Sequence, residues 1–184
     1  MSHRLFVGLR PPADARGALL GLMGGVPDAR WQTDAQLHLT LLFLGTVERP
    51  VAEDIAVALG RVRGPALALG FGAFGAFDTR HGRISALWVG VEPRERLAAL
   101  AERVRAAAAS AGVAVSARRF VPHVTLARFP ARGAERASLA RFLADRRPPA
   151  LRFAVDAFHL FESHMGSGGS HYRVVASWPL ETLR

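Results

Sequence analysis

The chain has 184 residues, half of them hydrophobic, with a formal net charge of +9 and no cysteine. That length suits one large domain or two small lobes. The composition excludes disulfides, thiolate metal sites and a cysteine nucleophile, and no apolar run is long and uncharged enough to span a bilayer. All 24 basic residues are arginine, with no lysine and no asparagine. A GC-rich coding sequence would give that bias whatever the function, so the charge alone is a weak pointer to nucleic acid.

Met1-Ser2-His3-Arg4 runs directly into Leu5–Leu9, which reads as a first strand rather than a signal peptide, so the cytoplasm is the expected compartment. Pro11-Pro12 ends that strand, and Asp14 is placed to cap a helix from Ala15 to about Met23. After Gly24-Gly25 and Pro27, Trp31–Asp34 leads into a strand from Leu37 to Leu44. Pro50 opens a helix over about 51–63. Leu67, Leu69, Phe71 and Ala73 then alternate as a strand does. The sequence Gly70-Phe71-Gly72-Ala73-Phe74-Gly75 fits a dinucleotide fingerprint, but no helix opens at its glycines, so close packing or a bulge is the better reading. After a polar loop at 78–83 come a strand from Ile84 to Val91 and a long helix over about 94–111. They are followed by a β-like stretch at 113–115 and a strand from Val121 to Phe129. A short helix at about 135–144, an alternating strand Leu151, Phe153, Val155, Ala157, a Gly/Ser loop at 166–170 and a strand at 171–177 complete the chain.

The second half repeats the order of the first. Leu5-Phe6-Val7-Gly8-Leu9 matches Leu87-Trp88-Val89-Gly90-Val91, and His38 matches His123. Leu67, Phe74 and Phe77 match Leu151, Phe158 and Phe161, and the three offsets agree within three residues. The expected architecture is α+β: a duplicated, bilobal single domain over 1–184. Its approximate halves are 4–79 and 84–163, and the strand at 171–177 closes the fold.

At matching places stand His38-Leu39-Thr40-Leu41 and His123-Val124-Thr125-Leu126. Successive strand side chains point to opposite faces, so His and Thr of each tetrapeptide share one face and the apolar residues share the other. Phe43 is in register with Leu37, Leu39 and Leu41, so parity assigns it to the core. Imidazole titrates near pH 6.5, so one histidine can act as base while another acts as acid. The threonine hydroxyls can donate to an anion held between them. Such a set suits in-line attack of water at phosphorus and calls for no metal. One histidine per strand without nearby carboxylates is a poor metal site, and no Gly-x-Ser-x-Gly elbow is present. Arg119, Arg128 and Trp31 are candidate substrate contacts.

These residues resemble the two-histidine phosphoesterases, in particular the bacterial and archaeal RNA 2′,3′-cyclic phosphodiesterases (2′-5′ RNA ligase-like proteins). The likeness runs from Arg4–Leu9 through His38–Gly45, Phe120–Arg128 and Phe161-Glu162-Ser163 to Tyr172. It implies two antiparallel sheets around a central cleft, with helices outside. It also implies metal-independent opening of a 2′,3′-cyclic phosphate at an RNA end to a 2′-phosphomonoester, without cofactor. By resemblance His38 is the general acid, His123 the general base, Thr40 and Thr125 bind phosphate, and Tyr172 joins the substrate contacts. Alternatives from the residues are a 2′-5′ phosphodiesterase or RNA ligase, a small cyclic-nucleotide phosphodiesterase, and a non-catalytic RNA-binding module. The expected partner is an RNA end, not a membrane, and the chain is expected to be monomeric.

Overall fold

The computed structural model describes residues 2–114, 119–166 and 169–181. Its elements in chain order are β1 (Ser2–Leu9), α1 (Ala13–Leu20), β2 (Arg30–Trp31), a 3-10 turn (Asp34–Gln36), β3 (Leu39–Glu48) and α2 (Arg49–Leu59). They continue with β4 (Leu67–Asp78), β5 (Ile84–Glu92), α3 (Arg94–Ser110), β6 (His123–Arg128), α4 (Arg136–Asp145), β7 (Arg152–Val155), β8 (Ala157–Gly166) and β9 (Gly169–Pro179). The α+β class holds. Among the described residues no helix is long and apolar enough to cross a membrane.

The strands form one antiparallel sheet in the order β7-β4-β5-β6-β3-β1-β8-β9, with β2 added to β6. Two separate sheets were expected. Instead two groups of strands join at the bridge Leu39↔Val124, between the two histidine strands. Each half of the sequence also gives its last strand to the other group: β4 pairs with β5 and β7, and β8 pairs with β1 and β9.

Several boundaries moved. Helix α1 ends at Leu20, and its N-cap is Pro12; Asp14 lies inside the first turn, where its carboxylate accepts from the Ala15 N–H. Helix α2 starts at Arg49 and stops at Leu59. The single strand expected through Leu151–Ala157 is two, broken at Asp156, because Phe153 pairs with β4 whereas Ala157 begins the run that pairs with β9 and, from His159, with β1. The stretch at 113–115 is not a strand at Val113 and Ala114, and Val115 lies outside the described residues. The glycine-rich segment is strand throughout, and a Cβ on Gly75 would overlap the Trp88 ring, so close packing explains that glycine.

One face of the sheet carries the helices. On α3, Leu97, Leu100, Ala101, Val104 and Ala108 repeat at helical spacing and are buried there. Leu39, Leu41, Val124 and Leu126 point into the same core. At one end of the sheet, Glu162 of β8 has only 7% of its side chain exposed, yet it meets two histidines and an arginine. It lies 2.6 Å from His3 Nδ1 on β1, 2.8 Å from Arg173 on β9 and 3.1 Å from His164. The hydrogen bonds from His3 and Arg173 hold this carboxylate well down, at about 2.

The other face carries the histidines, and two matching irregularities shape it. Gly8 pairs with Thr40 but Val7 with Leu42, which leaves Leu41 as an extra residue in β3. Trp88 pairs with Thr125 but Leu87 with Ala127, which does the same at Leu126 in β6. The spacing from Leu41 to Leu126 equals that from His38 to His123. A bulge shifts the phase of the alternation beyond it. Phe43 therefore turns to the histidine face, 67% exposed, and is not in the core as parity assigned it. Arg128, at the corresponding place in the second copy, turns the same way.

Candidate active site

The bridge at Leu39↔Val124 fixes the geometry of the pair. In the same antiparallel register His38 stands across from Thr125, and Thr40 across from His123. All four side chains lie on one face at the junction of the two strand groups.

Both imidazoles are anchored alike. His38 Nδ1 lies 2.7 Å from the carbonyl of Gln36, and His123 Nδ1 lies 2.6 Å from the carbonyl of Val121. A carbonyl only accepts, so each Nδ1 carries the proton and donates. That leaves each Nε2 as the working nitrogen: a base when the ring is neutral, a donor when it is protonated. The 3-10 turn that offers the Gln36 carbonyl is itself fixed by Thr33 and Gln36 in a capping box and by the Gln36 amide donating to Ser170 O at 2.7 Å.

Aromatic rings pack each imidazole. Phe6 (4.8 Å) and Phe161 (5.9 Å) flank His38, and Trp88 (5.6 Å) and Phe77 (4.9 Å) flank His123. These pairs occupy matching positions in the repeat. Tyr172 from β9 adds an edge contact to His38 at 4.9 Å, and Phe43 packs on Phe6 at 5.9 Å.

Burial disfavours the charged ring. It pushes His38 down from 6.5 to about 4, with smaller contributions from the positive charges of Arg128 and His123. Burial also lowers His123, and Arg128 adds to it. Arg128 thus acts on both imidazoles. Both rings thus have a lowered proton affinity, which a ligand bringing negative charge would raise.

The structure brings His38, Thr40, His123, Thr125, Arg128 and Tyr172 together. Arg119 is exposed in the segment before β6 and is not among the charges acting on either imidazole. Trp31 lies on the helix side, its ring 5.7 Å from Phe142 of α4, so the expectation that it contacts substrate gives way to a packing role. Period-two parity assigns Phe43 to the core because a bulge leaves no mark in such a pattern; the structure places it on the histidine face. No group of metal-ligating residues occurs among the described residues.

Known proteins are similar to the chain in sequence and in fold. The chain is 32% identical over 152 residues to an RNA 2′,3′-cyclic phosphodiesterase of Thermotoga maritima, covering 80% of this chain and 77% of that one. It is 31% identical over 184 residues to the protein of that name from Escherichia coli, covering 97% of each. The crystal structure of E. coli LigT complexed with 3′-AMP superposes with a TM-score of 0.78 at 28% identity, covering 99% of this chain and all of that one. The sequence model of the 2′-5′ RNA ligase superfamily matches residues 27–166, a span that holds both histidine strands and the bridge between them. With fold, sequence and paired histidine strands in agreement, the chain belongs to the 2′-5′ RNA ligase superfamily.

Proposed function

We propose that this protein is a metal-independent RNA 2′,3′-cyclic phosphodiesterase that opens the cyclic phosphate at an RNA end and leaves a 2′-phosphomonoester. The observation that carries the reading is the pair of imidazoles with identically anchored Nδ1 atoms, each facing the other's threonine across one register. His123 Nε2 takes a proton from water as that water's oxygen bonds to phosphorus. The bond from phosphorus to the 3′ oxygen breaks, and His38 Nε2–H protonates that oxygen. Thr40 and Thr125 donate to the non-bridging oxygens, and Arg128 offsets the charge that builds there. Phe43 and Tyr172 offer aromatic surface beside the phosphate for a nucleobase.

A ring held near pH 4 is a poor acid store in the empty site. The anionic substrate corrects this, because a phosphate beside imidazolium favours the charged form. The chain acts as one bilobal, monomeric unit in the cytoplasm, its halves being 4–79 and 84–163.

The test is hydrolysis of adenosine 2′,3′-cyclic phosphate and of a short RNA with that end, in EDTA, with the product monoester identified. The expected product is the 2′-phosphate. A well-folded protein that turns over neither substrate overturns the reading. The RNA ligase direction is checked in the same assay with a 5′-hydroxyl acceptor.

A further inference from the structure

Beyond the imidazoles, the two sides of the histidine face differ. Gly8 pairs with Thr40 on one side and with His159 on the other, so His159 shares the face of the reacting groups. Arg10 follows two residues after Gly8 with Leu9 buried between, which returns Arg10 to that face. Ser177 stands across β8–β9 from His159, its hydroxyl 2.8 Å from His159 Nδ1. At the matching places in the other copy stand Gly75, covered by the Trp88 ring, and Glu92, paired with Arg94 at 3.1 Å. One side of the site therefore ends in a cationic ledge and the other in an apolar ring and a carboxylate.

The ledge has spare capacity for an anion. Arg10 and Arg16 share the single carboxylate of Asp34, at 3.2 and 2.7 Å. Arg16 is largely buried and also donates to Pro11 O at 2.6 Å, so the uncompensated charge falls to Arg10. Arg10 Nε is buried and has no hydrogen-bond partner among the described residues. Burial lowers the proton affinity of His159, Arg10 lies close enough to lower it further, and the Asp156 carboxylate opposes both. A serine hydroxyl can donate to Nδ1, the tautomer that puts the His159 proton on Nε2, where an anion can accept it. The Phe161 ring lies 5.8 Å from His159 and 5.9 Å from His38, so one aromatic ring separates the ledge from the reacting phosphate.

We propose that Arg10 and His159, with Ser177 orienting the imidazole, form a subsite for a second phosphate of the substrate: the one on the 5′ side of the nucleotide that carries the cyclic phosphate. This inference rests on the phosphodiesterase reading and deepens it. The ledge is separated from His38 by the Phe161 ring alone, and a guanidinium with an imidazole N–H suits a phosphodiester. The subsite makes the protein a reader of chain ends rather than of lone cyclic nucleosides.

The experiment compares kcat/KM for adenosine 2′,3′-cyclic phosphate with and without a 5′-phosphate, and for the ApA dinucleotide with that cyclic end. The proteins are wild type, Arg10→Ala, Arg10→Lys, His159→Ala and Ser177→Ala, each checked for folding by circular dichroism. Wild type is expected to favour both 5′-phosphorylated substrates about tenfold, the scale of a hydrogen bond to a charged group. Arg10→Ala should bring that ratio close to one, Arg10→Lys should restore part of it, and His159→Ala and Ser177→Ala should lower it in that order. An unchanged ratio in Arg10→Ala and His159→Ala, or a wild-type ratio of one with the unphosphorylated nucleoside turned over, overturns the subsite and leaves the phosphodiesterase reading standing. Failure of wild type on all three substrates removes both.

Discussion

His38 and His123 share a backbone anchor, a threonine across the register and a pair of flanking aromatic rings, yet their surroundings are not equal. His38 has a third ring, Tyr172, and is pushed to about 4; His123 has two rings and is also lowered. The side with the third ring is the more deeply buried, so burial lowers the proton affinity of His38 further than that of His123. A repeat thus supplies two equal nitrogens, and the packing beyond the repeat separates them.

Removing either imidazole should have the largest effect. His38→Ala and His123→Ala should each lower kcat by about 10²–10⁴-fold, the usual worth of positioned acid–base catalysis. Both losses should be similar, and the double variant should lose little more. A clear inequality, with one variant near wild type, breaks the comparison at its root.

Arg128→Ala should act on both sides at once. Its positive charge disfavours both imidazolium forms, so removing it raises both pKa values. In wild type, the alkaline limb of kcat/KM should fall below pH 6.5, because both free imidazoles are depressed. In Arg128→Ala both limbs should move to higher pH, with kcat/KM reduced about tenfold by the lost phosphate contact. Movement of one limb only would show that Arg128 faces one histidine, not two.

Two further variants test each side separately. Gly75→Ala forces the Trp88 ring away from His123 and should cost about 1–3 kcal/mol, the range for overfilling a packed site, measured by urea unfolding. Tyr172→Ala opens His38 to water and should raise that ring's titration in NMR spectra while leaving His123 where it was, with a severalfold loss of rate. If Tyr172→Ala moves both titrations equally, the asymmetry does not lie in the third ring.

The parts legible in the sequence were those written in short-range pattern. His-x-Thr on a strand fixes a shared face, and the repeat matched Phe6 to Trp88 and Phe77 to Phe161 before either pair was seen flanking a histidine. What escaped depends on partners far along the chain. A strand of alternating residues carries no sign that Leu41 or Leu126 has no opposite number, so Phe43 was assigned to the core. The break at Asp156 is set by two different neighbours, β4 before it and β1 after it. Trp31 looked available for a base until α4 was seen to cover it. Arg10 and His159 are adjacent only because Gly8 pairs on both sides of β1.

The exchange of last strands binds the two halves together. Strand β4 leaves the first half to complete the second, and β8 returns to complete the first, with β1 held between β3 and β8. Neither half carries its own full set of strands, and β1 waits for a partner made more than a hundred residues later. Such distant pairing closes late in folding. A polypeptide cut short before β8 has both histidine strands, but β1 then pairs with β3 alone and His38 lacks the Phe161 ring. A nick in the 79–83 turn, by contrast, would leave two pieces still laced through each other.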